Sequence, residues 1–380
     1  MKILIYLDNS ATSLIKPKEV YSAMLDCMKN YAANPGRSGH RLSAKAAEKI
    51  FECRENLCGM FGADDPNRFI FTQNATESLN LAIRGFLKNG GHVVLTQMEH
   101  NSVIRPVFTL EKDGITHTVA EADVFGRVSP ENVENAIRPD TKMIIATHVS
   151  NVCGTVNDIE KIGKIAKEHG IAFLVDAAQS AGVLPIDIKK QNITFLSLTG
   201  HKALLGPQGT GALYAGNDSL IPLKTGGTGS YSKLPYQPDD LPDKYESGTL
   251  NTVGICGLNE GLKFIKKVGI ENIFEHEMRL TSHLLENLSV MRGINVQGYM
   301  SASHRSGVVS ITSDKKPPSE ISHILNTEYD IAVRSGYHCA PFAHKALGTF
   351  DTGSVRISLG AFNTKNDIDT FCSALYNITR

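Results

Sequence analysis

The stretch IAFLVDAAQSAGVLPIDIKKQNITFLSLTGHKALLGPQGTGALYAG (171–216) contains three short apolar runs, IAFLVD (171–176), TFLSL (194–198) and GALYAG (211–216), separated by polar, glycine-bearing segments. Runs this short and this apolar read as buried strands and stop far below the length of a membrane span. The pattern extends upstream through RFIFT (68–72), HVVLT (92–96), ITHTVA (115–120) and MIIATHV (143–149), with helical patterns in most of the gaps. Strands alternating with amphipathic stretches predict an α/β domain on a mainly parallel sheet.

Downstream, GGTGSYSKLPYQPDDLPDKYESGT (226–249) is rich in Gly, Pro and Asp without an apolar period, and reads as a long loop reaching toward a partner or a site. Helical patterns follow at 253–267 and 271–289, then a strand at 307–313, a helix near 318–328 and a closing helix near 366–378. We therefore expect a large α/β domain over 16–250 and a small α+β domain formed by 1–15 with 251–380, a division in keeping with a chain of 380 residues.

The 39 basic and 39 acidic residues cancel, so no global positive field exists to hold nucleic acid or an anionic membrane, and a small-molecule partner is expected instead. With 41% hydrophobic and 21% charged residues the chain buries a core. The opening MKILIYLDNSATS lacks a signal-peptide pattern, and a cytoplasmic location is expected. Seven cysteines without framework spacing argue against a disulfide scaffold.

In open α/β sheets, ligands bind beyond the carboxyl ends of the strands. Asp176 ends one such strand, and is either a helix N-cap for the next segment or a carboxylate paired with a buried cation. Lys202 lies after the next strand, 26 residues on (202 − 176), in a glycine-rich turn. Singly, a lysine there is an ordinary solvated residue. Together, an amine and an acid at successive strand ends are what pyridoxal phosphate needs: a Schiff-base partner, and a carboxylate that keeps the ring nitrogen protonated as an electron sink. The turn TQNATESLNLAIRGF (72–86) offers the backbone N–H groups around Ala75, and the Thr76 hydroxyl, to an anion at a helix N-terminus, although Thr76 also reads as a plain helix start.

Ordered markers run almost from end to end: YLDNSATS (6–13), NATES (74–78), MEHNSV (98–103), HVSNVCGT (148–155), VDAAQS (175–180), TGHK (199–202), ESGTLNT (246–252), RSGYHCAP (334–341) and VRISLGAFNT (355–364). On these the chain resembles the class V aminotransferase group of fold-type I pyridoxal-phosphate enzymes and, within it, the cysteine desulfurases. The resemblance implies that Lys202 carries the cofactor, that Asp176 pairs with its ring nitrogen and Gln179 with its ring hydroxyl, and that His100 stacks on the ring and shuttles protons. It further implies that Asn151 helps hold cofactor and substrate, that Thr76, Thr199 and His201 bind the phosphate, and that Thr249 does so for a second subunit of a homodimer. Arg356 would grip the substrate carboxylate as a two-pronged donor.

Many members of the superfamily transfer amino groups, so Cys339 decides the reaction. RSGYHCAP places it where desulfurases of this family carry their sulfur acceptor, and the 17 residues to Arg356 (356 − 339) resemble the short cysteine loop of one desulfurase group. A short loop implies a fixed thiol, relieved of its sulfur by an acceptor protein or a small reductant. Tyr337 stands where short-loop members often have His, which leaves open the acceptor and the choice between L-cysteine and L-selenocysteine. Competing readings are a selenocysteine lyase, an aminotransferase with a dispensable Cys339, and a non-catalytic scaffold. The remaining cysteines (Cys27, Cys53, Cys58, Cys153, Cys256 and Cys372) form no paired ligand set, and no metal site is expected.

Overall fold

A computed structural model describes residues 4–36, 39–88 and 90–380; Met1 to Ile3, the start of the segment assigned to the small domain, lie outside the described residues. The strands are β1 (Ile5–Tyr6), β2 (Phe69–Thr72), β3 (Gly91–Thr96), β4 (Ile115–Ala120), β5 (Thr141–Thr147), β6 (Ala172–Asp176), β7 (Phe195–Thr199), β8 (Gly211–Ala215), β9 (Ile294–Gln297), β10 (Val308–Ser313), β11 (Ile331–Ala332), β12 (Arg334–Gly336) and β13 (Ser354–Ser358).

The seven apolar runs read from the sequence form one sheet, ordered β2-β8-β7-β6-β5-β3-β4, in which β8 alone runs against its neighbours. Its central strands are covered on both faces, which is why they read as unbroken apolar runs. Successive side chains alternate between two cores. Val94, Ile144, Val175 and Leu196 face one, and Val93, Ile145, Leu174 and Phe195 face the other. No helix or strand forms between β8 and Thr252, in keeping with the loop expected over 226–249. Among the described residues no helix is long and apolar enough to cross a membrane.

A second sheet, β12-β13-β10-β9, is antiparallel throughout. Its core takes Val309, Ile311, Val355 and Ile357 from the strands, Leu280 and Leu284 from the helix Ile270–Ser289, and Phe371 and Leu375 from the helix Lys365–Thr379. The helix Thr252–Val268, by contrast, sends Ile255, Leu258, Leu262 and Ile265 into a core of the large sheet. It can lie there because residue 261 is glycine: a Cβ at that position would sit 2.3 Å from the Leu204 carbonyl oxygen, in the turn that follows Lys202.

A buried ion pair ties the end of the long loop to the sheet. Glu246 accepts from Arg54 Nη2 at 2.6 Å and from the Phe71 backbone N–H at 2.5 Å, while Arg54 also donates to the Phe69 carbonyl. Removing one partner strands a buried charge, so Glu246→Ala is expected to cost about 3–5 kcal/mol. Urea denaturation read by far-UV circular dichroism checks this; an unchanged midpoint would contradict it.

Candidate active site

The carboxyl ends of the parallel strands open into one cleft of about 740 Å³ of empty space. Its walls carry nine of the expected site residues: Ala75, Thr76, His100, Asn151, Asp176, Gln179, Thr199, His201 and Lys202. Their placement comes from the strand ends. Asp176 closes β6 and Thr199 closes β7, with His201 and Lys202 in the turn just beyond; His100 and Asn151 follow β3 and β5. The N-terminal marker lies against the lysine turn, with Ser13 N–H donating to the His201 carbonyl at 2.9 Å and Ser13 Oγ to the Lys202 carbonyl at 3.0 Å.

Two local readings are corrected. No helix follows Asp176; residues 178–183 form turns, and its Oδ1 accepts from the Ala178 N–H at 2.9 Å, so the carboxylate shapes a turn and caps nothing helical. Nor does Thr76 start its helix. Asn74 is the N-cap, accepting from the Glu77 N–H at 3.0 Å, and the Thr76 hydroxyl turns instead to Ser102 Oγ at 2.8 Å.

In this cleft Thr199 Oγ1 and His201 Nδ1 are buried without a protein partner, and the cleft also takes in Ala75 and Thr76 at the N-terminus of the helix Ala75–Phe86. Buried polar atoms require a partner, and a phosphate would supply acceptors to both while meeting the helix N-terminus. Asp176 also lines the cleft, its carboxyl pushed up by burial against the smaller downward pulls of the Ala178 N–H and Lys202. A protonated ring nitrogen would reverse that and hold it ionised. These residues fit pyridoxal phosphate.

Burial, strengthened by Arg356 and Arg334 against the pull of Asp176, lowers the Lys202 amine to about 8, so a usable fraction is uncharged near neutrality. His100 is held down at about 4, first by burial and then by Lys202, Arg334, Arg356 and Arg105. Its Nδ1 receives the Ser102 backbone N–H at 3.1 Å. An N–H can only donate, so the neutral ring carries its proton on Nε2. Gln179 donates to the Ser10 carbonyl at 3.1 Å.

Arg356 is buried on β13, giving Nη1 to the Asn151 carbonyl at 3.0 Å and Nη2 to Asp8 Oδ1 at 2.8 Å. Neither it nor Cys339 lines the cleft itself, but Arg334, its register partner on β12, does. Cys339 is the exposed one of the seven free cysteines, and Arg334 Nη2 reaches its Sγ at 3.6 Å. Thr249 is exposed in a separate cleft with Gln73 and Glu77, and does not line the cleft that holds Lys202. Cys153 is fully buried against Thr155.

Sequence reasoning missed Asp8, Glu99, Ser102, Arg334 and His338, although each lies inside a quoted marker. Glu99 is buried beneath the cleft, accepting from Thr96 Oγ1 at 2.6 Å and from the Thr147 N–H at 2.7 Å. Burial, with Asp176 adding to it, pushes its carboxyl up to about 8.

Glu277, buried beside a second cavity that shares Lys202, is likewise pushed up to about 8, by burial alone. Above the ordinary carboxyl value of 4.5 the unfolded chain releases a proton that the folded chain keeps, so such a group costs stability progressively from about 4.5 to about 8. Glu277→Gln is expected to raise the melting temperature at pH 8 and to change it little at pH 5; a shift of equal size at both would contradict the assignment.

The family model for class V aminotransferases matches residues 5–371. A probable cysteine desulfurase of Methanothermobacter thermautotrophicus is 36% identical over 98% of this chain and 94% of its own length. The cysteine desulfurase IscS of Vibrio vulnificus is 33% identical over 97% of this chain and 91% of its own. The apo cysteine desulfurase of Thermococcus onnurineus NA1 superposes with a TM-score of 0.93 at 34% identity, covering 99% of this chain and 94% of that one. On these matches over nearly its whole length, the chain belongs to the class V aminotransferase family and, within it, to the cysteine desulfurases.

Proposed function

We propose that the chain is a pyridoxal-phosphate-dependent cysteine desulfurase that converts L-cysteine to L-alanine, taking the sulfur onto Cys339 as a persulfide and passing it to an acceptor. The observation that carries the reading is the exposed Cys339 thiol beside Arg334, whose own side chain walls the cleft that holds Lys202. When bound, pyridoxal phosphate supplies an electron sink for the substrate α-carbon. Thr76, Thr199, His201 and the backbone at Ala75 would hold its phosphate, Asp176 its ring nitrogen, Gln179 its ring hydroxyl and Lys202 its covalent attachment.

Lys202, uncharged in part near neutrality, takes the α-proton of the substrate. Arg356, with Asn151 on its Nη1 side, orients the substrate carboxylate. The Cys339 thiolate then attacks the substrate sulfur: the S–S bond forms, the C–S bond breaks, and the electron pair stays on the three-carbon fragment. The proton that leaves the Cys339 thiol passes to that fragment, relayed by the neutral His100 ring with its Nε2–H, and Lys202 returns the α-proton to complete alanine.

Other parts of the reading extend beyond a single chain. We assign Thr249 to the phosphate site of a second subunit in a homodimer, which its exposed place outside its own chain's cleft supports. The acceptor is a thiol-bearing protein or small reductant. Seven free cysteines suit the reducing cytoplasm. The division into 16–250 and 1–15 with 251–380 is supported by the two sheets, while the helix Thr252–Val268, placed in the smaller unit by that boundary, packs on the core of the large sheet.

The cofactor-loaded protein given L-cysteine is expected to release alanine, with L-selenocysteine run in parallel. Turnover of selenocysteine alone would move the reading to a selenocysteine lyase, and amino transfer to a keto acid would move it to an aminotransferase.

A further inference from the structure

We propose that His338 is a positioning residue that aims the Cys339 sulfur, by fastening a strained turn to the strand that carries Arg356; the inference rests on the desulfurase reading above. The Tyr337 carbonyl accepts from the Ala340 N–H at 2.9 Å, closing a four-residue turn. Both residues inside it are left-handed, His338 at φ 49° and Cys339 at φ 59°. That is the arrangement of a type I′ turn, whose two central positions favour glycine and asparagine. A side chain at each position strains the backbone, and the conformation persists only where the surroundings hold it.

Three contacts hold it. Asn151 Nδ2 donates to the His338 carbonyl at 2.6 Å, and the Asn101 N–H donates to the Cys339 carbonyl at 2.7 Å. Both central carbonyls are thus tied to the loops that bring Asn151 and His100 to the cofactor cleft. The third contact is the His338 side chain, 2% exposed, whose Nε2 lies 3.0 Å from Ser354 Oγ at the start of β13. Behind it the His344 ring packs at 5.6 Å, itself fixed by Nδ1 to Thr349 Oγ1 at 2.7 Å. Burial, then Arg356, His344 and Arg334, keep the His338 ring neutral, so it acts as a wedge and a hydrogen-bonding anchor and carries no charge.

The consequence is kinetic. The thiol must meet the substrate sulfur in line, and small losses of aim cost rate where binding is untouched. A turn freed from Ser354 relaxes out of the left-handed region and swings Cys339 with it.

The test uses the cofactor-loaded His338→Ala, Ser354→Ala and doubly substituted proteins. In a single turnover with L-cysteine, His338→Ala is expected to form persulfide about tenfold more slowly or worse, with the KM for cysteine and the visible absorption of the bound cofactor unchanged. Ser354→Ala is expected to show a smaller loss in the same step, and the double variant to be no slower than His338→Ala, because both act through one contact. Alkylation of Cys339 by iodoacetamide, which needs no turnover, is expected to change rate in His338→Ala and, should that variant not fold, in Ser354→Ala. Wild-type rates of persulfide formation and alkylation, or a loss matched by lost cofactor, would overturn the positioning role. A wild-type protein that releases no alanine, with altered alkylation in the variants, would overturn the desulfurase reading and leave the positioning of Cys339 supported.

Discussion

Lys202→Ala is expected to lower alanine release from L-cysteine by about 10²–10⁴-fold or more, the range for a positioned acid–base group, while leaving the fold intact. The side chain stands in the wall between two cavities, and no other amine lines the cofactor cleft among the described residues except the guanidinium-bearing Arg334. Borohydride treatment of the cofactor-loaded wild type is expected to fix the cofactor on the peptide containing Lys202, and to fix none in the variant. Residual activity within tenfold of wild type would show that another group does this work.

Cys339→Ala is the second large effect, and a more selective one. Cysteine turnover is expected to fall at least about 100-fold, or ~2.7 kcal/mol in activation free energy. The exposed thiol supports no core, so the melting temperature and cofactor content should stay at wild-type values. Selenocysteine turnover is expected to survive, since selenium leaves without needing a sulfur nucleophile. Equal loss on both substrates would mean that the variant damages the cleft and that the nucleophile assignment lacks support.

How much of this was legible in the chain depended on whether the signal was local. The seven strands of the large sheet announced themselves because burial on both faces leaves unbroken apolar runs, as in β6 and β7. Their ends were less exact: the run read as 143–149 begins at Thr141 and stops at Thr147, where the chain turns toward Asn151. The short strands β1, β9, β11 and β12 were missed because two to four residues carry no period, and only pairing across the fold defines them.

The expected residues that line the cleft were readable because each lies at or a few residues beyond the end of a strand and inside a marker. Their supports were not. Asp8 meets Arg356 across 348 positions, a partnership that no local pattern encodes. Nothing local in the marker MEHNSV tells that Glu99 is buried, yet the structure packs it against Thr96 and Thr147. Pairs of this kind belong to tertiary packing, and only the assembled loops bring them together.

Arg356 shows how the structure sharpened an expectation. The sequence resemblance made it a two-pronged substrate clamp, whereas its Nη1 is already engaged by the Asn151 carbonyl and its Nη2 by Asp8. A substrate carboxylate held by Arg356 as proposed would have to share or displace the Asp8 carboxylate, which would make Asp8 part of the proposed substrate site.

The most direct test of the central claim is one turnover of cofactor-loaded enzyme with sulfur-labelled L-cysteine in the absence of an acceptor, followed by mass spectrometry of the Cys339 peptide alongside an alanine assay. One labelled sulfur is expected on Cys339 for each alanine formed, removed again by a reductant. Alanine formed with the label absent from Cys339, or label on Cys339 with no alanine, would contradict that claim.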